Sequence, residues 1–394
     1  MTSPRVIDAG GGRSVRSWGS DIEPGAIEQA KRAARSPVVA GSIALMPDAH
    51  VGIGSTVGSV IPTEAAIIPA AVGVDLGCGM TAIRTEHTAS HLPDDLTDCL
   101  DAVAAAVPSG FAGHPEPTAG ARAWLKAHPL PDARATPAKA RKRMGAQLGT
   151  LGGGNHFIEV SLDEAGIVWV VLHSGSRGVG NILATTHIKE AKRTCQAAGR
   201  ELEDADLAYF TKDDAGFAPY VADMLWAQDY ASANRRLMVD AVLVALRATT
   251  GLGFEIVDRV DCHHNYAEEE IHGGRTLWIT RKGAIRAGCG DRGVIPGSMG
   301  DDTYVVSGTG SEASYHSSAH GAGRRMSRSQ ARKTLSVADL ERSMRGRAWR
   351  SDRAHDLLDE APASYKPIAQ VVADQDDLVS VDHKLKAVLN YKGC

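Results

Sequence analysis

The sequence predicts an α+β protein, and three observations carry that prediction. Short apolar runs of strand length recur along the whole chain, each bounded by Gly, Pro or polar residues. Between them lie a few stretches with the three-to-four-residue apolar period of helices. Several apolar runs also border a His, an Asp or a Cys set among glycines, so the strands look built to deliver polar groups to one place. With 394 residues, 43% of them hydrophobic and 23% charged, the chain can bury a large core and has a globular composition.

Taken in order, residues 1–40 are polar and Gly-rich, with Ile22, Ile27, Ala30 and Ala34 spaced for a helix over about 21–34. Ile43 to His50 reads as a short strand ending in Pro47, Asp48 and His50. Gly52, Gly54 and Gly58 then punctuate a stretch of strands and tight turns up to Pro62. Ile67 to Met80 reads as a buried strand running into Asp75 and Cys78. A helix is predicted over 92–107, with Leu92, Leu96, Leu100, Val103 and Val107 on one face. The segment 108–137, rich in Pro, Gly and Ala, is the weakest candidate for fixed structure and reads as a variable loop or insertion. After a helix over 138–148, Gly152, Gly153, Gly154, Asn155 and His156 open a strand. Val168 to Leu172 ends in His173 and a Gly/Ser loop carrying Arg177. Residues 182–250 read as helices broken by an acidic loop over 204–214. Val257 to Asp261 is a strand closed by Cys262, His263, His264 and Asn265. Strands follow at 277–280 and 303–306, separated by a turn over 294–300, and beyond Arg324 the chain reads as helical and polar.

Composition narrows the function classes. A net charge of −4 argues against a basic coat, so nucleic acid would have to be met by local patches: 139–143, Arg281-Lys282 with Arg286, or Arg324-Arg325 with Arg328, Arg332 and Lys333. At 5% aromatic residues, a broad base-stacking platform is not the expected binding mode. The six cysteines show no paired framework, which suits a reducing compartment, and neither a signal-peptide core nor an 18-residue apolar run occurs; a cytoplasmic, non-membrane protein is expected. There is no Gly-x-x-x-x-Gly-Lys-[Ser/Thr] loop, so a nucleotide would not be held as P-loop enzymes hold it.

Two groups of residues suggest chemistry. Asp75, Cys78, His156, His173 and His264 are read as lying at or just beyond the C-terminal ends of strands, where α/β proteins gather ligand sites. Five donors exceed one tetrahedral site, whereas two adjacent metals sharing the thiolate would use them all. Thiolate and imidazole favour zinc, and a carboxylate with open positions for phosphate admits manganese; the residues do not choose. The second group is Ser317 to Arg325. There His320 stands among small residues, Gly321 and Gly323 allow backbone N–H groups to approach a ligand, and two guanidiniums suit phosphate oxygens. A neutral imidazole can attack phosphorus and pass the group on.

In these motifs the chain resembles the RtcB RNA ligases. The residues that carry the resemblance are Met46-Pro47-Asp48-Ala49-His50, Gly73 to Gly79, Leu151 to Glu159, His173 to Gly180, His263-His264-Asn265, Arg281 to Ala284, Pro296 to Gly300 and His320 to Ser327. It runs from about Ser17 to Gly393 and is weakest over 108–137. It implies a single domain over 1–394, with mixed and antiparallel sheets flanked by helices around a dinuclear metal cleft. It also implies an enzyme that uses GTP and two Mn²⁺ ions to join an RNA 3′-phosphate or 2′,3′-cyclic phosphate to a 5′-hydroxyl, in tRNA splicing or RNA repair, through a GMP–histidine and then an RNA(3′)pp(5′)G intermediate. By the resemblance His320 is the catalytic nucleophile. Asp75 and His156 hold one metal, His173 and His264 the other, and Cys78 bridges both. The guanylate pocket would comprise Asn155, His156, Phe157, Ile158, Glu159, His264, Asn265, Pro296, Gly297, Ser298, Met299, Thr303, His320, Gly321, Ala322, Gly323 and Lys392, with Glu159 selecting guanine. RNA and an archease-like activating protein are the implied partners. Position 319 is Ala where the family often has Cys or Ser. A metal-dependent phosphodiesterase would need the five ligands but not His320, and a nucleotide-sensing or RNA-binding module would need no turnover.

Overall fold

The computed structural model describes residues 4–131 and 136–393, without the Lys139 side chain. Expectations touching 1–3, 132–135, the Lys139 side chain or Cys394 lie outside the described residues. Two sheets organise the molecule. The first has six strands in the order Arg5–Gly10, Arg13–Ser17, Ile43–His50, Val57–Thr63, Arg275–Lys282, Asn265–His272. The second runs Ile256–His263, Gly79–Thr88, Ile167–Ser174, Phe157–Leu162, Val379–Lys392, Asp302–Gly308, Arg292–Pro296, with Ala348–Trp349 beside Val379–Lys392. Pairing is antiparallel except where Arg13–Ser17 meets Ile43–His50 and where Ala348–Trp349 meets Val379–Lys392. The α+β expectation holds.

Alternation within the second sheet builds two cores. Ile158, Val160, Val168, Val170 and Leu172 face the helices Thr97–Ala106 and Phe217–Thr250, meeting Leu100, Val103, Met238, Val242 and Leu246. Phe157, Trp169 and Val171 point to the other face, with Met80, Ala82, Val294 and Leu385. Phe217–Thr250 also packs Tyr220, Met224 and Ala227 against the core shared by the first sheet, Pro24–Ala34 and Arg177–Ala197, so one long helix ties the two sheets together.

Three expectations need correcting. The strand expected from Ile67 is only Ala66–Ile67; Pro69–Val72 is a helical turn, because Pro69 has no N–H for a ladder and is pre-set for a first helical position. The strand on this stretch starts at Gly79, after Asp75 and Cys78. Within 108–137 a helix, Ala119–Ala127, is fixed by the Thr118 side chain accepting from Ala121 N at 3.1 Å. Beyond Arg324 the helices Arg328–Thr334, Val337–Ser343 and Ile368–Ala373 are followed by a 14-residue strand, Val379–Lys392, where a helix was expected. There buried Leu385, Ala387, Leu389 and Tyr391 take every second position, the strand period, with a register shift between Ala387 and Leu389.

One buried amide locks the loop before His156 to the strand end at His173. Asn234, fully buried on the long helix, accepts from Gly149 N (2.7 Å) and Thr150 N (3.1 Å) and donates to Thr150 O (3.1 Å), Ser174 Oγ (3.2 Å) and Gly175 O (3.2 Å). Asn234→Ala is expected to lower the unfolding free energy by about 2–4 kcal/mol, since each stranded buried group costs on the order of 1–3 kcal/mol. Urea denaturation measures this, and a loss below about 1 kcal/mol would show that the amide is dispensable.

Candidate metal centre and catalytic cleft

Register brings the five predicted ligands together. Gly79 pairs with both His263 and Ser174, and His173 pairs with both Met80 and Phe157. The starts of two strands and the ends of two others therefore lie along one edge of the sheet. This corrects the expectation that all five ligands follow strands. Asp75, Cys78 and His156 precede Gly79–Thr88 and Phe157–Leu162, His173 lies in the last turn of its strand, and His264 follows Ile256–His263.

At that edge Cys78 Sγ lies 3.4 Å from His156 Nε2 and 3.3 Å from His173 Nε2. His156 Nε2 is 3.1 Å from Asp75 Oδ2, and His173 Nε2 is 2.9 Å from His264 Nε2. Two triads result, Asp75–Cys78–His156 and Cys78–His173–His264, each with donor atoms within 4.8 Å of one another and with the sulfur common to both. His156 Nδ1 donates to Leu151 O at 2.9 Å and His173 Nδ1 to Asn155 O at 3.1 Å, which turns each Nε2 toward the sulfur. Burial, with the neighbouring imidazoles adding to it, pushes His173 and His264 well below the ordinary histidine range, so both rings are neutral. Two neutral nitrogens 2.9 Å apart share at most one proton, and His264 Nδ1 is buried without a hydrogen-bond partner among the described residues. Such a donor set fits metal ions better than it fits itself.

The backbone around the sulfur is equally constrained. Arg235, 1% exposed, donates to Gly77 O (3.1 Å) and Ser174 O (3.2 Å), setting a cation beneath the cluster. Gly77 has φ +68, and a Cβ there would stand 2.6 Å from Gln228 Cα, so a side chain would push the turn off the long helix.

His320 faces the cluster from across a cleft. Its ring centroid is 4.6 Å from that of His264, and its Nδ1 donates to Asp48 Oδ2 at 2.6 Å. A carboxylate accepts only, so Nδ1 carries a proton, and in the neutral tautomer that this fixes the lone pair lies on Nε2. Asp48 is fully buried and is held by its neighbours: Lys366 Nζ donates to Pro47 O (3.0 Å) and Ala49 O (2.9 Å). Gly323, at φ +71, lets its loop close on that strand, since a Cβ would come within 2.1 Å of Asp48 O. Asp48 and Lys366 are the functional residues that the sequence reasoning left without roles. Asp48 lies in a quoted motif, but only the fold reveals that it holds His320.

The cleft encloses about 350 Å³ and is lined by Asp75, Asn155, Phe157, His173, His264, Asn265, Lys282, Pro296, Gly297, His320, Gly321, Ala322, Gly323 and Lys392, among others. Of the expected guanylate residues, Glu159, Ser298 and Thr303 lie behind this lining, all buried, with Glu159 accepting from Asn390 Nδ2 at 2.7 Å. Burial raises the Glu159 carboxyl to about 7. The side chains of Ile158 and Met299 do not reach the cleft: the former packs with Val160 and Leu172, the latter with Leu340 and Met344, leaving only main chain to serve a ligand. Lys392 pairs with buried Glu360 at 3.0 Å. A second cavity of about 690 Å³ adjoins the first, sharing Val74, Asp75 and Arg328, and reaches His156, Arg177, Arg332, Arg353 and Phe111.

The basic patches sort differently from expectation. Arg281 is fully buried against Glu268, Glu270 and Ser317, and Lys282, at the cleft wall, donates inward to Ala70 O at 3.1 Å and to Ile53 O, so this pair forms no exposed basic patch. Arg141, Lys142, Arg143 and Arg325 are exposed.

Three histidines and a carboxylate set around a shared sulfur, with a carboxylate-bonded fourth histidine facing them, form a donor set that could hold metal ions beside an imidazole. Comparison with known proteins makes the class specific. The family model described as tRNA-splicing ligase RtcB matches residues 29–393. The chain is 42% identical over 400 residues to RNA-splicing ligase RtcB of Escherichia coli K12, covering 96% of this chain and 97% of that protein. It is 31% identical to tRNA-splicing ligase RtcB of Archaeoglobus fulgidus, covering 92% and 88%, and 30% identical to RNA-splicing ligase RtcB of Mycobacterium tuberculosis, covering 83% and 90%. The chain belongs to the RtcB family. Among the described residues no helix is long and apolar enough to cross a membrane.

Cys78→Ala is expected to abolish binding of both metals while leaving the far-ultraviolet circular dichroism unchanged; two ions still bound by metal analysis would rule out the shared sulfur. Burial, reinforced by Asp75, holds the Cys78 thiol well above its ordinary range, so the metal-free protein carries the proton and metal uptake must displace it. Affinity should therefore rise with pH by up to about tenfold per unit around neutrality, and calorimetry in buffers of different ionisation enthalpy should detect the released proton.

Proposed function

We propose that this RtcB-family RNA ligase joins an RNA 3′-phosphate or 2′,3′-cyclic phosphate to a 5′-hydroxyl using GTP, with His320 carrying GMP between substrates and residues 1–394 acting as one domain. The observation that carries the reading is the His320 ring, held through Nδ1 by Asp48 at 2.6 Å and set beside His264 over the two ligand triads.

In this reading the 350 Å³ cleft takes the nucleotide, with Asn155, Phe157, Asn265, Pro296, Gly297 and the Gly321–Gly323 backbone around its phosphates and sugar. Glu159, Ser298, Thr303 and Lys392 stand at its inner end, with the Ile158 and Met299 main chain. An ionised Glu159 accepts from guanine N1–H and the N2 amino group, a pattern adenine lacks. Two Mn²⁺ ions, one on Asp75, Cys78 and His156 and one on Cys78, His173 and His264, would neutralise developing charge on the non-bridging phosphate oxygens. His320 Nε2 attacks the α-phosphorus of GTP in line and pyrophosphate leaves. Asp48 keeps the proton on Nδ1 and offsets the positive charge that the ring gains with its new P–N bond. An oxygen of the RNA 3′-phosphate then displaces His320 from phosphorus, giving RNA(3′)pp(5′)G, and the 5′-hydroxyl attacks the RNA phosphorus to expel GMP.

The 690 Å³ cavity suits the RNA. It reaches the triads on the Asp75–His156 side. Its arginines Arg328 and Arg332 rest on the buried carboxylates of Asp359 and Glu360 while remaining half-exposed themselves. Phe111, 93% exposed, offers one base a stacking face at the rim. An archease-like partner would act on the His320–GMP step. The place of work is the cytoplasm, where Cys78 stays reduced.

Incubation with α-labelled GTP and Mn²⁺ is expected to label the wild type on His320 in an acid-labile bond and to leave His320→Ala unlabelled; equal label on both rejects the nucleophile. Asp48→Asn should slow labelling by roughly 10²–10⁴-fold, as loss of the carboxylate behind a catalytic histidine does, with the fold intact by circular dichroism. Phe111→Ala should raise KM for RNA about 5- to 100-fold, corresponding to about 1–3 kcal/mol of stacking, and Phe111→Trp should restore it. Label uptake, which involves no RNA, reports separately on the nucleotide step.

A further inference from the structure

A second donor cluster lies outside the cleft, where the edge of the six-stranded sheet meets the turn that leads to His320. Glu268, Glu270 and His272 alternate along the edge strand Asn265–His272. Opposite them the turn Glu312–Ser314 is followed by Tyr315 and His316 at φ +54 and +49, two consecutive non-glycine residues in the left-handed region. That conformation costs about 1–2 kcal/mol per residue and needs external support. Arg281 donates to Tyr315 O (2.9 Å), Ala287 N to His316 O (2.7 Å) and the Tyr315 hydroxyl to Ser42 O (2.9 Å). The turn is thereby held so that the His316 and His272 rings lie 4.8 Å apart.

The His272 ring is 4% exposed, and both of its nitrogens face carboxylates: Nδ1 is 3.2 Å from Glu312 Oε2, and Nε2 is 3.1 Å from Glu270 Oε2. A neutral imidazole has one N–H, so one of these contacts sets lone pair against lone pair unless a positive charge lies between. Glu312 accepting from Nδ1 is the carboxylate–histidine pairing that aims Nε2 at a metal. Donor atoms of Glu270, His272 and His316 lie within 4.8 Å of one another. Glu312 Oε1 lies 3.0 Å from His316 Nε2, so one carboxylate steadies both rings. Three carboxylates, Glu268, Glu270 and Glu312, meet one buried cation here, Arg281; Arg286 is shared between Glu268 and Asp291 at the rim, and Arg16 is engaged by Ala313 O at 3.2 Å.

We propose that Glu270, His272 and His316 bind a divalent first-row cation, Zn²⁺ by their two imidazoles and one carboxylate. Glu312 orients the rings. The ion pins the turn from which Ser317–Ala319 carries the chain into His320, so it braces the nucleophile's support without touching the cleft.

Equilibrium dialysis against Zn²⁺, with metal analysis, tests this on wild type, His316→Ala and Cys78→Ala. His316→Ala is expected to bind one equivalent fewer than wild type. With Co²⁺ it should keep the near-ultraviolet thiolate-to-metal band of the Cys78 centre. Cys78→Ala should lose that band yet retain an equivalent that the double variant lacks. Glu312→Gln, at a side chain 66% exposed, should weaken this equivalent about 10- to 100-fold, the usual effect of losing a carboxylate behind a ligating histidine. Equal zinc content in wild type and His316→Ala overturns the proposal and leaves a second proton on His272 as the charge between the carboxylates.

Discussion

Everything at the cleft depends on the antiparallel register along one sheet edge. Because Gly79 stands opposite both Ser174 and His263, and His173 opposite Phe157, four strands deliver their neighbouring residues to a single point. Side chains alternate along a strand, so a slip of one residue would turn His173 to the opposite face. Two glycines make the convergence possible. A Cβ at Gly79 would meet Cys262 O at 2.2 Å, and one at Gly175 would meet Asp75 Oδ1 at 2.2 Å. The cluster is thus set by the sheet, whose strand ends bring together the loop residues Asp75, Cys78, His156 and His264 beside His173.

Burial then shapes the chemistry. Removing His173 and His264 from water makes their charged forms unfavourable, which leaves lone pairs in place of protons. The same burial raises the Cys78 thiol, and only a cation close to the sulfur reverses that. Arg235 supplies part of this field from below while also fixing the carbonyls of Gly77 and Ser174. On the far side, Asp48 treats His320 differently: one ring nitrogen is committed to a carboxylate, and the other is not. Two kinds of histidine therefore share one cleft, a buried neutral pair beside the sulfur and one ring tied to a carboxylate.

Much of this was legible in the chain. Asp75, Cys78, His156, His173 and His320 stand out because glycines crowd around them, and His173 also closes an unbroken apolar run, whereas His264 has no glycine beside it. What sequence could not supply was direction: in an antiparallel sheet the start of one strand lies beside the end of the next, so Asp75, Cys78 and His156 proved to precede their strands. The tie from Asp48 to His320 spans 272 residues and has no local signal. The Arg281-Lys282 pair looked like a surface patch because charge alone does not reveal that its partners, Glu268 and Glu270, lie on the adjacent strand. Val379–Lys392 was missed because frequent charged residues masked its alternation.

That last strand also has a bearing on biosynthesis. It lies in the middle of the second sheet, between Phe157–Leu162 and Asp302–Gly308, and Gly393 N donates to His156 O at 3.1 Å. The ribosome makes it after every other strand of the molecule that the structure describes. Until it docks, the strand bearing Phe157 has an open flank, and the carbonyl of a ligand histidine lacks its donor. A chain lacking this strand would leave that flank and that carbonyl without their partners.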